Sequence, residues 1–427
     1  MSALLSCPRM TSTDTRAPLL TPVLLAGSAI LLLSFAVRSA FGLFQIPVAE
    51  EFGWPRAEFS FAIALQNLAW GIGQPIFGAI AERFGDRKAI VLGALCYALG
   101  LTLSAFAVTP GDQQLLNVLI GFGIAGTGFG VILAIVGRAA APERRSVTLG
   151  IATAAGSAGQ FVGPPVAEAL LAVMPWSSVF LVFAVAILCV LLLLPFISGP
   201  ARAASAATGD EPMATIVGRA VRDPSFILIF VGFFSCGYQL GFITAHFPAF
   251  VTEVCSPIPA NGVLAGLGIT TTSALGAAAI AVIGLANIGG TLAAGALGQY
   301  YRKKYLLAQV YVARTVVAAA FILAPMTPAS VLVFSMLMGA LWLATVPLTS
   351  GLVAELWGAR YMGTLYGIVF LSHQIGGFMG IWLGGRLYDL YGNYTLVWWI
   401  GVGVGAFSAL VHLPIRERPA PDYPAPA

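Results

Sequence analysis

The sequence has 427 residues, of which 59% are apolar and 9% are charged, and its formal net charge is +4. A soluble domain carries about 25% charged residues, so this composition excludes an ordinary soluble protein. It also argues against nucleic-acid binding, because the basic residues occur in short clusters between apolar runs of about 20 residues, the length that spans a bilayer.

Charged, Pro-rich and polar clusters divide the chain into twelve predicted membrane-spanning helices. These cover residues 19–46, 58–81, 88–109, 114–138, 147–172, 177–198, 225–252, 265–299, 305–325, 330–354, 363–386 and 396–414. With the N-terminus placed inside, 16 basic residues lie in or next to the inner connections and 2, Arg56 and Arg386, lie at the outer ones. Because Lys and Arg are enriched in cytoplasmic loops, we expect both termini to be cytoplasmic.

The least hydrophobic stretch of the chain, residues 199–223, follows the sixth predicted helix. It predicts a cytoplasmic linker between two six-helix units, residues 1–198 and 224–427. A weak internal repeat agrees, because a Gly-containing helix end and a basic turn occur both at Gly78–Lys88 and at Gly295–Lys304. Parallel repeated halves are typical of large secondary transporters.

The first of these turns, GAIAERFGDRK, resembles the loop motif G-x-L-x-D-R-x-G-R-K-x of the major facilitator superfamily. The matching residues are Gly78, Glu82, Arg83, Gly85, Arg87 and Lys88, with Glu82 in place of the usual Asp. The resemblance implies an all-α membrane protein with twelve helices in two pseudo-symmetric bundles. It also implies that Gly78 allows close helix packing and that the Glu82/Arg83 cluster forms a cytoplasmic latch. The alternative is a solvated basic turn.

Residues 41–54, FGLFQIPVAEEFGW, and 372–385, SHQIGGFMGIWLGG, resemble the bacterial branch of the monocarboxylate-porter type. This resemblance implies a place in the cytoplasmic membrane of a bacterium. One departure matters, because those porters carry an Asp and an Arg in helix eight, where this sequence has Asn287 and Thr291. Whether the substrate differs from lactate-like acids is therefore open.

Arg38 is a charged residue inside the first predicted helix, on a polar stripe with Ser34, Gly42 and Gln45. A charge at membrane depth costs at least ~2.5–3.5 kcal/mol and calls for a functional reason. A guanidinium offers a planar fork that matches a carboxylate, and a basic residue of helix one lies in the substrate path of the monocarboxylate porters. We expect Arg38 to bind a small organic anion; the alternative is a snorkelling or structurally paired arginine.

Other polar residues at membrane depth are candidates for the substrate site. They are Gln66, Asn67, Tyr238, Gln239, Asn287, His373 and Gln374. Each amide has an alternative role as a bridge between helices. His373 and the weaker candidate His246 are also candidates for proton coupling, because the reference pKa of histidine is about 6.5.

These residues favour a secondary transporter that moves a small organic anion, a monocarboxylate, by alternating access with proton symport. The expected partners are the substrate, protons and the lipid bilayer, with no nucleic acid, cofactor or metal, no enzyme activity and a monomeric state. The alternative is an efflux pump for drugs or metabolites, which a loosened antiporter motif, GSAGQFVGPP at residues 156–165, favours. A transporter-like membrane sensor is a remote alternative.

Overall fold

The computed structural model describes residues 20–140, 145–197, 213–357 and 362–419. Within these ranges twelve long helices match the predicted spans and confirm the all-α fold. They are α1 (Pro22–Phe52), α2 (Arg56–Phe84), α3 (Asp86–Ser104), α4 (Pro110–Ala139), α5 (Arg145–Leu171), α6 (Trp176–Phe196), α7 (Pro224–Val254), α8 (Thr272–Tyr300), α9 (Lys303–Leu323), α10 (Pro328–Trp357), α11 (Met362–Tyr391) and α12 (Thr395–His412). Ten are long and apolar enough to cross a membrane by length and composition, and α2 and α5 have 29 and 27 residues.

Four helices, α1, α4, α7 and α10, begin with the same two-residue signal. The pairs are Thr21-Pro22, Thr109-Pro110, Asp223-Pro224 and Thr327-Pro328. The side chain of the Thr or Asp accepts a backbone N–H of the first turn, and proline occupies a position whose own N–H would have no partner in the helix. The signal recurs at every third helix, which is the period of the repeat within each half.

Helix α10 is interrupted around Leu343, and α1 and α4 are interrupted too. An interruption frees backbone groups that need protein partners inside a membrane. At α10 these partners come from two other helices. The Leu343 N–H donates to Asn287 Oδ1 of α8 at 3.0 Å, and Arg314 Nη2 of α9 donates to the Trp342 carbonyl at 3.5 Å.

The helices α1–α6, here called the N half, and α7–α12, the C half, repeat each other in their contacts. Ser34 Oγ lies 3.0 Å from Thr127 Oγ1 between α1 and α4, and Cys236 Sγ lies 3.3 Å from Thr345 Oγ1 between α7 and α10. The buried apolar side chains form two clusters, one almost wholly from residues 23–197 and the other from residues 216–415. These observations support the predicted repeat.

The division at residues 199–223 stays a prediction. Within that stretch the structure contains a short helix, Met213–Ala220. Residues 198–212 lie outside the described residues.

A pair of charges recurs at the same place in each half, with its polarity reversed. Asp86 at the start of α3 pairs with Arg138 near the end of α4 at 2.5 Å. Lys303 at the start of α9 pairs with Glu355 near the end of α10 at 2.8 Å. The position is therefore repeated while acid and base have exchanged places.

We call the membrane face at the start of α2 the Arg56 face and the face at the start of α3 the Arg87 face; the sequence predicts the latter to be cytoplasmic. Helix α2 packs against α11 of the other half from Arg56, whose N–H donates to Asp389, as far as Trp70. There the Trp70 ring meets the Phe370 ring at 5.4 Å. Trp70 lies at the middle of α2, so this contact lies at the middle of the membrane.

Helices α5 and α8 form the second contact between the halves. It runs from Glu168, which accepts from Ser273 at 2.9 Å, to Ser157, which accepts from Asn287 at 3.0 Å. Closer to the Arg87 face, a side chain added at Gly289 of α8 would meet nothing within 4 Å. Among the described residues, the hydrogen bonds and ring contacts between the halves thus lie between the Arg56 face and the midplane, and the path between the halves opens toward the Arg87 face.

Candidate functional site

Arg38 lies at the level where the two halves meet, in the last turn before the interruption of α1. Its Nη2 donates to Asn67 Oδ1 of α2 at 3.0 Å. The guanidinium carbon lies 4.7 Å from the centre of the Trp70 ring, a distance at which a cation is attracted by the ring face. In the part of the chain that the structure describes, no carboxylate lies within 4.0 Å of this guanidinium.

A hydrogen-bonded network extends from Arg38 across the boundary between the halves. The backbone carbonyl of Asn67, whose side chain holds Arg38, accepts from Gln374 Nε2 of α11 at 3.1 Å. His373 Nδ1 in turn donates to Gln374 Oε1 at 3.0 Å. The structure therefore brings together four of the predicted substrate residues: Arg38, Asn67, Gln374 and His373.

The polar stripe predicted on α1 does not line one cavity. Gln45 Nε2 donates to Ser60 Oγ of α2 at 3.2 Å. Gly42 lies against α7, where a Cβ would stand 2.3 Å from the Thr244 carbonyl oxygen. Ser34 faces α4. The interruption of α1 turns successive residues toward different helices, which corrects the expectation of a single face.

Three other predicted substrate residues bond to neighbouring helices: Gln66, which lines the small cavity beside Arg38, and Tyr238 and Gln239, which line a different cavity. Gln66 Nε2 donates to Asn117 Oδ1 between α2 and α4 at 3.0 Å. The Tyr238 hydroxyl donates to the Val397 carbonyl at 3.3 Å, and Gln239 Nε2 donates to the Gly401 carbonyl at 3.0 Å, both on α12. These partners favour the bridging role that was the alternative for amides at membrane depth. Asn287 belongs to the second contact between the halves, away from Arg38.

The two candidate histidines occupy different places. His373 lies between aromatic rings, with Phe233 at 5.0 Å and Phe370 at 5.5 Å between ring centres, and it keeps 8% of its surface exposed. His246 is fully buried. Its Nε2 donates to the Ile381 carbonyl at 2.7 Å, so that nitrogen is committed to the C half. His373 is thus the histidine that adjoins the Arg38 network.

The sequence reasoning missed a cluster at the Arg56 face, which we call the Arg56 latch: Arg56, Glu253, Asp389 and Tyr394. Arg56 forms an ion pair with Glu253 of α7, and its Nη1 donates to the Tyr394 hydroxyl at 3.0 Å. Asp389 accepts the backbone N–H of Arg56 and of Ala57 at 3.0 and 2.8 Å and so caps α2 from the other half. The sequence placed Arg56 at an outer connection, but its pairing with Asp389 was not visible there.

The loop-motif residues lie at the Arg87 face. Arg87 Nε donates to the Ile197 carbonyl at the end of α6 at 2.8 Å, and Gly85 has a positive φ of 102°. Arg83 is exposed, and its guanidinium lies 5.4 Å from the centre of the Phe84 ring.

The roles predicted for the loop motif remain predictions. In this conformation Gly78 has nothing within 4 Å of a Cβ position, so the close packing implied for it is not present here. Lys88 is exposed. The side chain of Glu82 lies outside the described part of the structure, so the predicted latch stays untested.

The profile of the Major Facilitator Superfamily matches residues 27–381. The chain belongs to the Major Facilitator Superfamily. Superfamily members are transporters, and the multi-pass helical architecture fits this assignment.

Relatives within the superfamily are similar at low identity. An uncharacterized superfamily transporter of Bacillus subtilis, YcxA, is 24% identical over 88% of this chain and 90% of its own. Monocarboxylate transporter 13 of Bos taurus is 26% identical over 85% of this chain and 81% of its own. Multidrug resistance protein MdtH of Photorhabdus laumondii is 30% identical over 54% of this chain and 56% of its own. The predicted resemblance to the superfamily and its monocarboxylate-transporter type is confirmed.

Solved superfamily structures share the fold. A mutant of the nucleoside transporter NupG superposes with a TM-score of 0.73 at 13% identity, over 92% of this chain and 99% of that one. A D-xylose-proton symporter superposes with a TM-score of 0.69 at 15% identity, over 93% and 98%. At such identities the likeness shows the fold alone.

Proposed function

We propose that this superfamily member carries a small organic anion, a monocarboxylate, through the membrane by proton symport. The observation that carries the proposal is the unpaired guanidinium of Arg38 between the two halves. An arginine stays charged under all physiological conditions, and a charge at membrane depth requires compensation. Asn67 and Trp70 hold this guanidinium without neutralising it, which leaves a carboxylate of the substrate as the natural counter-ion.

The similarity to monocarboxylate transporter 13 supports this substrate class. The helix-eight acid and base of the monocarboxylate porters are replaced by Asn287 and Thr291, whose side chains bond to each other at 3.0 Å. Helix eight therefore offers neither a cation for the substrate nor a carboxylate for a proton. Arg38 is accordingly the proposed counter-ion for the carboxylate of the substrate.

His373 is the proposed proton carrier. It adjoins Gln374, whose amide contacts Asn67 beside Arg38. A carboxylate arriving at Arg38 would alter the electrostatic potential at the imidazole, since both belong to one hydrogen-bonded network. Binding of the anion would thereby favour uptake of a proton, which is the requirement for symport.

The decisive experiment is uptake of labelled mono-, di- and tricarboxylates into proteoliposomes, with and without an imposed pH gradient. We expect monocarboxylate uptake that an inward proton gradient accelerates. Arg38→Gln should lower it at least about tenfold, since hydrogen bonds to a charged group contribute about 1.5–3 kcal/mol. The control Arg302→Gln removes an exposed arginine at the Arg87 face and should leave uptake unchanged. Equal uptake by the parent and Arg38→Gln would contradict the proposal.

The second candidate is an efflux pump for drugs or metabolites. The similarity to MdtH over about half of the chain favours it, as does the loosened motif on α5. In everted vesicles an exporter would accumulate a lipophilic cationic dye when energised, and Arg38→Gln would not abolish that accumulation. Dye transport together with no carboxylate uptake would replace the first proposal with this one.

A further inference from the structure

Arg38 is surrounded by aromatic rings on the side that opens toward the Arg87 face. Besides Trp70, the Phe35 ring lies with its centre 6.0 Å from the guanidinium carbon. The Phe129 ring adjoins Phe35 at 4.3 Å, and the Phe370 ring adjoins Trp70 at 5.4 Å. Phe129 and Phe370 are half-buried, and Phe370 lies at the boundary between the halves.

On the opposite side, toward the Arg56 face, the space beside Arg38 is nearly filled. The cavity there has a volume of about 10 Å³ and is lined by apolar and polar side chains, among them Phe41, Ile63, Gln66 and Thr244. A single water molecule needs about 10–15 Å³ on this measure. A carboxylate bound to Arg38 must therefore direct the rest of its molecule toward the rings.

The contact between Trp70 and Phe370 crosses the boundary between the two halves. The two rings meet edge to face, with an interplanar angle of 73°. His373 extends the same wall, because its ring stacks on Phe370 with an angle of 8°. A planar ring brought in beside Arg38 would enter this boundary and take up contacts with Trp70 and Phe370 that they now make with each other.

We propose that the substrate is an aromatic carboxylate, whose carboxylate binds Arg38 and whose ring packs between Trp70 and Phe370. This inference rests on the proposed function and narrows its substrate class. Aromatic rings gain attraction beyond area burial from edge-to-face and offset-stacked pairs, which a saturated ring of the same size does not. The wall of rings therefore selects for aromaticity as well as for apolar size.

The test compares benzoate with cyclohexanecarboxylate, two acids of the same charge and similar size that differ in aromaticity. Binding of each acid, and of acetate, is measured by calorimetry on the purified full-length protein in nanodiscs. We expect benzoate to bind roughly fivefold more tightly than cyclohexanecarboxylate, the scale of one aromatic pair. Phe370→Leu should bring this ratio to about 1, whereas Phe370→Tyr should preserve the ratio.

Phe407→Leu is the matched control, because Phe407 is 54% exposed on α12 and lies away from Arg38. It should not change the ratio. Equal binding of benzoate and cyclohexanecarboxylate by the parent, with both lost in Arg38→Gln, would overturn the aromatic preference and leave the proposed function intact. Absence of binding by all three acids would overturn the proposed function itself. Should Phe370→Leu fail to fold, the ratio in the parent and in Phe370→Tyr still decides the question.

Discussion

Arg38 and Arg314 are arginines of membrane-spanning helices that are not exposed and lack a carboxylate partner among the described residues, and their surroundings differ. Arg38 is half-buried at the boundary between the halves. Arg314 of α9 is fully buried within the C half, and its Nε and Nη1 have no partner in the part that the structure describes. The hydrogen bond from its Nη2 to the Trp342 carbonyl is long at 3.5 Å. Arg38 is thus accessible to a ligand, whereas Arg314 is a charge that the fold must tolerate.

Replacing Arg314 should therefore stabilise the protein. Arg314→Met keeps an unbranched apolar side chain and removes the unpaired charge, and we expect the free energy of unfolding to rise by about 1 kcal/mol or more. The measurement is the melting temperature of the purified protein in detergent. Arg314→Lys keeps a charge and should give no such rise. A lower melting temperature for Arg314→Met would contradict this expectation and show that the guanidinium stabilises the C half.

At the scale of single residues, the sequence shows which side chains are unusual in a membrane-spanning helix. It does not show which groups those side chains contact. Arg38 is predictable because a charge interrupts an apolar run. Gln66 and Asn67 are adjacent in the sequence, yet Gln66 turns to α4 and Asn67 turns to Arg38. Successive residues of a helix point about 100° apart, so the direction that each one faces depends on where the neighbouring helices lie. The local sequence pattern does not reveal how the neighbouring helices are arranged.

At the scale of helices, the Arg56 latch joins the start of α2 to α7 and α11. Asp389 caps two N–H groups of α2, and Arg56 connects Glu253 with Tyr394. These contacts tie the N half to the C half at the face where they are closed. Opening of that face requires all of them to break.

Weakening the latch should expose the Arg56 side of the path. We expect Arg56→Gln to increase, at least severalfold, the rate at which a membrane-impermeant maleimide labels a cysteine introduced at Thr244, which now lies buried against Gly42. The background carries Cys255→Ser, because Cys255 follows α7 near this face. Arg386→Gln, which removes an exposed arginine from α11, is the control and should not change the rate. Unchanged labelling in Arg56→Gln would show that the latch does not hold this face closed.

The twelve spans were predictable because bilayer thickness fixes helix length and because charged turns separate the spans. The Arg56 latch was not predictable from the sequence, since its residues are far apart in the chain. Arg56 and Glu253 are 197 residues apart, and the pairing of Arg56 with Asp389 spans 333 residues. Such contacts follow from the way in which the two halves meet in one conformation, which a single sequence does not disclose.

At the scale of the whole molecule, the repeat includes one more contact. In each half, a basic residue at the start of the third helix bonds to a carbonyl at the end of the sixth helix. Arg87 donates to the Ile197 carbonyl after α6, and Lys304 Nζ donates to the Leu413 carbonyl after α12 at 3.1 Å. The helix-end pairs formed by Asp86 and by Lys303 flank these contacts with opposite polarity. Each of these ion pairs lies within one half, while α4 ends on a base and α10 ends on an acid.

Inverting one pair tests whether this polarity matters for the transport cycle. Alternating access requires the Arg87 face to close while the Arg56 face opens. Asp86→Lys with Arg138→Glu keeps a local ion pair but moves its carboxylate to the end of α4, so that α4 and α10 both end on an acid. We expect transport to fall at least about threefold with little change in melting temperature, and the loss to shrink in high salt. Adding Lys303→Glu with Glu355→Lys should restore transport, and failure of this rescue would show that the polarity is incidental.

The reversed polarity of the two ion pairs affects which halves can pack favourably against each other. Two identical halves would present the same charge at their matching helix ends, so a half would meet another copy of itself as readily as its covalent neighbour. With the charges exchanged, the basic end of α4 would face a like charge on a second N half but the acidic end of α10 on a C half, and the first contact is unfavourable. The duplicated chain thus has the charge pattern of an obligate heterodimer joined into one polypeptide.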